Sequence, residues 1–150
     1  MGGISACVKR YVCDAWGSAR LLVQLAQDDD GDVEIRDLAL ALASDLTDER
    51  QIAAKIQSWV RGHIAYRTEP SETFQSPRVT LAVRAGDCDD HARLVRALAR
   101  QAGLQARLVF LTMAGDPFHA VTQIRASNDW LWAETTEERA LGQVPDPRLT

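Results

Sequence analysis

Cys88 is the residue in this sequence best placed for covalent chemistry. It lies in the run Gly86-Asp87-Cys88-Asp89-Asp90-His91, and the residues that follow, Ala92, Leu94, Val95, Leu98, Ala99 and Ala102, make an apolar helical face closed by Gly103. The cysteine therefore stands in the first turn of a core helix. Unpaired backbone N–H groups and the positive end of the helix dipole favour thiolate over thiol there. The same N–H groups can hold the oxyanion formed when a carbonyl is attacked. The expectation is a thiol of lowered pKa that alkylates faster than Cys7 or Cys13. The opposing reading is a small core residue, because free cysteine is among the most buried types. Asp87, Asp89 and Asp90 argue against a purely apolar niche.

A nucleophilic cysteine needs a base and a group to orient that base. His119 opens a β-prone run after the central helix, and only two other histidines, His63 and His91, exist. If the runs flanking Ala126–Asp129 pair as a hairpin with a four-residue loop, Arg125 faces Trp130, Val121 faces Glu134 and His119 faces Thr136. Parity then puts His119 and Glu134 on one face as diagonal neighbours, about 7–8 Å apart at the backbone, a gap their side chains can close. A one-residue change of loop length would reverse that parity. His91, three residues beyond Cys88 on the helix, and Asp87, just before it, are candidates for tuning the thiolate. The bland reading of His91 is a solvated helix residue, and His63 reads as packing. Cys88, Asp90 and His91 lack the second ligand pair that a structural zinc site needs, so neither metal nor cofactor is expected. Asp28–Asp30 reads as a solvated loop, with calcium a weak second choice.

The elements that must position these groups are legible as periodicity. Trp16, Ala19, Leu22, Val23 and Ala26 mark a helix over Ala15–Gln27. Asp32 can cap a second helix running to about Leu46, and Thr47 or Asp48 starts a third with Ile52, Ile56, Trp59, Val60 and His63 as its stripe. Tyr66 to Val83, with Pro70, Pro77 and Phe74, shows no sustained period and reads as a loop. Gln105–Thr112, Ala120–Arg125 and Trp130–Thr135 read as a three-strand meander. The 150 residues, 46% hydrophobic and 25% charged, favour one globular α+β domain: a helical portion 1–65, a loop 66–87, a catalytic core 88–136 and a tail 137–150. A net charge of −4 without a basic run disfavours nucleic acid, and no apolar stretch reaches membrane-spanning length. Three cysteines make no even disulfide framework and no classical signal peptide is evident, so a cytoplasmic location is expected.

Taken together, Gly86-Asp87-Cys88-Asp89-Asp90-His91-Ala92, Gly103, Phe118-His119-Ala120-Val121 and Trp130 through Glu134-Thr135-Thr136 resemble the bacterial and phage transglutaminase-like cysteine hydrolases over about Ile52 to Thr136. The resemblance implies a papain-like fold, with N-terminal helices and the Cys88 helix packed on a small antiparallel sheet. It implies Cys88 as nucleophile, His119 as general base and Glu134 as the acid, where most relatives carry Asp. It also implies hydrolysis of an amide or isopeptide bond in a peptide or protein substrate. Papain-like enzymes place an amide donor upstream of the cysteine, which makes Gln75 an oxyanion candidate; the bland reading is a loop glutamine bonded to backbone. Phe74-Gln75-Ser76-Pro77 after a helical portion is similar to small members encoded near phage and prophage tail genes. The alternative is therefore a non-enzymatic structural or binding component, such as one of a phage tail with virion or tail proteins as partners, that keeps a weak or silent site.

Overall fold

The computed structural model describes residues 15–68, 74–113 and 116–145. Cys7, Cys13 and Pro70 lie outside them. Three helices come first: α1 (Ala15–Gln27), α2 (Val33–Ala43) and α3 (Glu49–His63). Asp32 caps α2 by accepting from the Ile35 N–H, and Asp48 caps α3 by accepting from that of Gln51. The predicted 66–83 loop is more ordered than its composition suggests. Ser76 caps a seven-residue helix, α4 (Pro77–Val83), with Pro77 in its first turn and Arg84 in the left-handed conformation at its end (φ 60°). On either side of that segment β1 (Ala65–Tyr66) and β2 (Ala85–Gly86) pair in parallel. Seven helical residues and two-residue strands are too short to leave a period in the sequence.

Helix α5 (Cys88–Gln101) is the centre of the molecule, touching α1, α2, α3, α4, β2, β3 and β4. Leu94, Val95, Ala97, Leu98 and Ala99 on it are fully buried and share a core with Ile35, Ala39, Ile56 and Val60 of α2 and α3. That core lies on a three-stranded antiparallel sheet in the order β3 (Gln105–Met113), β4 (Asp116–Ala126), β5 (Asp129–Ala133). The hairpin parity is the anticipated one, with Arg125 opposite Trp130, but the loop is two residues rather than four because Ala126 pairs with Asp129 as well. Ser127 and Asn128, at φ 53° and 71°, make the two-residue turn, whose positive φ angles match the strand twist. Glu49 and Arg50, at the start of α3, hold that turn through the Ser127 N–H and Asp129.

The acidic run after α1 is solvated at Asp28 and Asp30 but not at Asp29. Asp29 is buried and takes both ends of the Arg93 guanidinium at 2.6 and 2.7 Å, while Asp30 pairs with Arg100. A buried carboxylate persists only with such a partner, and the bidentate guanidinium supplies it. Arg93 also donates to the Leu25 and Gln75 carbonyls, so one side chain of α5 ties down α1 and the segment before α4. Residues 137–145 fold back on the sheet: Gln57 and Arg61 both donate to the Arg139 carbonyl, and the Gly142 N–H donates to that of Trp132. Among the described residues no helix is long and apolar enough to cross a membrane.

Candidate active site

Cys88 is the first residue of α5 and a half-buried free thiol. Its helix begins where it does because Asp87 and Asp90 cap each other's backbone: the Asp87 carboxylate accepts from the Asp90 N–H, and that of Asp90 accepts from the Asp87 N–H. Asp90 is itself buried, and its other oxygen accepts from the Gln75 N–H. Burial, then the Asp87 charge, pushes the Asp90 carboxyl up to about 7. Gly86 is required by the same carboxylate, since a Cβ there would stand 2.6 Å from the Asp90 Cβ and 2.8 Å from its Oδ2. With Asp90 held by two N–H groups, Gly86→Ala is expected to cost roughly 1–3 kcal/mol. A urea melt indistinguishable from wild type would show that the capping box yields.

The thiol itself departs from expectation. Burial first, then the adjacent Asp89 carboxylate, push Cys88 up to about 12, against the lowering effect of the Ala120 N–H directed at its sulfur. The Sγ donates to Asp89 Oδ1 at 3.8 Å. The helix N-terminus favours thiolate, yet desolvation and the Asp87, Asp89 and Glu134 charges outweigh it. Cys88 at rest is a thiol, not a thiolate.

His119 and Glu134 meet. The imidazole Nε2 donates to Glu134 Oε2 at 2.6 Å, with the carboxylate buried and the ring largely so. The other oxygen, Oε1, accepts from the Thr135 and Thr136 N–H groups and the Thr136 hydroxyl. Burial alone would lower the imidazole pKa, but the hydrogen bond and charge of Glu134 win and raise it. Burial would likewise raise that of Glu134, and the His119 hydrogen bond and charge win to lower it. Beside His119 the β3–β4 register slips: Leu111 pairs with His119 and Thr112 with Pro117, leaving Phe118 as the extra residue of a bulge. Such bulges re-aim a neighbouring side chain. Ala120, the next residue, packs against Cys88.

The other candidates lie elsewhere. Gln75 spends its side-chain N–H groups on Thr80 Oγ1 and the Ala85 carbonyl, so its amide fastens its own loop. Asp87 serves as the helix cap beside Cys88, and its charge does act on the thiol, but in the direction that raises the pKa. His91 is fully buried rather than solvated, and its ring nitrogens contact Thr135 Oγ1 at 2.9 Å and the Ala65 carbonyl at 3.4 Å. Burial lowers its pKa, so the ring is held neutral. His63 stacks on Trp59 at the surface. Among the described residues no three His, Cys, Asp or Glu side chains gather as metal ligands. Sequence reasoning missed Gln57, a buried amide of α3 that donates to the Glu134 and Arg139 carbonyls at 2.9 Å each. Its signal was there: it follows Ala53 by four residues on the apolar stripe of an amphipathic helix, where a polar side chain must find buried partners.

This arrangement, a cysteine heading a central helix that packs on a sheet carrying a histidine–carboxylate pair, defines a class of papain-like proteins. Residues 36–135 match the family model of the transglutaminase-like superfamily, and the chain belongs to that superfamily. Among solved structures it resembles a candidate cysteine protease from Cytophaga hutchinsonii, with 23% identity and a TM-score of 0.60 over 69% of this chain and 37% of that one. It also resembles a candidate protease from Parabacteroides distasonis, with 11% identity and a TM-score of 0.68 over 81% of this chain and 26% of that one. LapG of Legionella pneumophila, in an EGTA-treated form, is similar at 20% identity and a TM-score of 0.57 over 82% and 73% of the two chains. The chain thus spans well under half of the first two structures. No curated protein matches it.

Proposed function

We propose that the chain is a cysteine peptidase or amidase that works through Cys88, His119 and Glu134. The 2.6 Å contact between His119 Nε2 and Glu134 Oε2, on the strand whose next residue abuts Cys88, carries this reading. With Nε2 committed to Glu134, proton exchange with the sulfur falls to Nδ1. As the neutral imidazole takes the thiol proton, Sγ attacks the carbonyl carbon of a peptide or isopeptide bond, and the C=O electron pair moves onto oxygen. Backbone N–H of the first turn of α5 holds that oxyanion. The C–N bond breaks as the imidazolium protonates the leaving amine, and a thioester remains on Cys88. Water, giving its proton to His119, then attacks the thioester; the C–S bond breaks and Cys88 regains a proton. Because the resting thiol is protonated, His119 acts as a true general base rather than as half of a standing ion pair. The similarity to cysteine-protease candidates supports water as the acceptor, and a peptide or protein as the substrate.

The test is a pH profile. Only the neutral imidazole can take the thiol proton, and the His119 pKa is raised, so the ascending limb of kcat/KM on an activated p-nitrophenyl ester should lie above 6.5. Glu134→Gln keeps a hydrogen-bond acceptor but removes the charge that stabilises the imidazolium. The limb should then move toward lower pH while the plateau falls roughly 100-fold or more. A variant with the wild-type limb and plateau rules Glu134 out as the orienting acid.

A further inference from the structure

Glu134 poses a geometric question that the sheet does not answer. The β4–β5 ladder ends at the pair Thr122–Ala133, so the acid sits one residue past the last strand partner. A residue just beyond a strand end has no ladder to fix its backbone, and a carboxylate must be held within about 0.5 Å to serve an imidazole. The hold comes from two helices. From α3, Gln57 donates through Nε2 to the Glu134 carbonyl and to that of Arg139, so one buried amide closes both ends of the 134–139 segment. Arg61, one turn later, donates to the same Arg139 carbonyl. From α5, His91 meets the Thr135 hydroxyl. The Ala65 carbonyl can only accept, so Nε2 of the neutral His91 ring carries the proton and Nδ1 accepts from Thr135 Oγ1–H. Thr135 in turn gives its N–H to Glu134 Oε1.

We propose that Gln57 and His91 are positioning residues that clamp residues 134 and 135 from two sides, setting the Glu134 carboxylate against His119. The proposal rests on the reading of Glu134 as the orienting acid. It assigns α3 a part in the site that its distance along the chain, 77 residues from Glu134, conceals. It also explains a buried imidazole on the nucleophile's own helix that makes no bond to the sulfur: its partner belongs to the acid, not to the thiol.

The test uses the full chain with 15N-labelled histidine, following the three imidazoles by NMR against pH. His119 is faced by Glu134, Glu137 and Asp89; the first two lie on the clamped 134–139 segment and Asp89, on α5, does not. Gln57→Met removes both amide donors at similar length, and Thr135→Val removes the hydroxyl that meets His91 while keeping its N–H. Each should move the His119 midpoint down toward 6.5 and lower kcat on the p-nitrophenyl ester more than it changes KM. Ile56→Val, a neighbouring core change on α3, should leave the midpoint in place and so separates positioning from general loosening. If Gln57→Met does not fold, Thr135→Val decides alone. Folded variants that titrate His119 as wild type overturn the proposal. A wild-type protein without esterase activity would count against the peptidase reading, while the titration would still decide the clamp.

Discussion

Arg93→Met should cost about 3–5 kcal/mol of stability, the range for removing one partner of a buried ion pair. Arg93 and Asp29 side chains are 7% and 5% exposed, and their bidentate contact spans 64 residues. The substitution leaves the Asp29 carboxylate in a site it cannot occupy charged, and removes donors from the Leu25 and Gln75 carbonyls as well. Burial already raises the Asp29 pKa against the pull of Arg93, so without the guanidinium it rises further. A carboxyl whose folded pKa is raised binds more protons in the native state, and stability then falls as pH rises from the unfolded pKa through the folded one. The defect of Arg93→Met should therefore be larger at pH 8 than at pH 5, and Asp29→Leu in the same chain should recover part of it. Equal urea midpoints at the two pH values, or no recovery in the double variant, would mean that the pair is not what holds α1 to α5. Because Gln75 hangs on Arg93 too, the segment beside the Asp90 capping box should loosen with it.

Most of the scaffold was readable because it follows local rules. The stripes of α1 to α3, the Asp32 and Asp48 caps and the helix opening at Cys88 are signals within one turn or a few, and hairpin parity follows from turn length alone. That parity points His119 and Glu134 to one side, but the ladder stops at Thr122–Ala133, so the expected pairs Val121–Glu134 and His119–Thr136 do not form and the segment after β5 is held by other contacts. What was not readable depends on partners distant in sequence. Asp29 looks as solvated as Asp28 and Asp30 until Arg93, 64 residues on, comes to it. His91 reads as an exposed helix residue because the elements that cover it, β1 and the segment after β5, lie on either side in sequence. The thiol pKa failed for another reason. The field of one helix end is outweighed by the loss of water around the sulfur and by the Asp89, Asp87 and Glu134 carboxylates nearby. Gln75, by contrast, fits its plainer reading, with its amide bonded within its own loop.

Cys88→Ala should abolish formation of the thioester, lowering kcat on a p-nitrophenyl ester by roughly 10⁴-fold or more, because it removes the nucleophile of the proposed reaction. The same change removes a single, partly buried sulfur and leaves only a small gap, so its cost in stability should be about 1 kcal/mol. Large loss of rate with small loss of stability is the signature of a nucleophile rather than of a core residue. The protonated resting thiol adds a second expectation. Iodoacetamide attacks thiolate, so alkylation of Cys88 in the free protein should be slow at pH 7 and climb steeply only toward alkaline pH, since the thiol is held up to about 12. An ester that engages His119 should acylate it readily at the same neutral pH, and intact mass spectrometry should find the thioester on wild type and not on Cys88→Ala. Asp89→Asn tests the cause: it removes the second-largest influence on the thiol, so alkylation at pH 7 should quicken. If Cys88→Ala instead costs several kcal/mol and the wild type forms no acyl-enzyme, the sulfur is packing. The chain would then be a scaffold of this superfamily whose histidine–carboxylate pair holds β4 to the segment after β5 and nothing more.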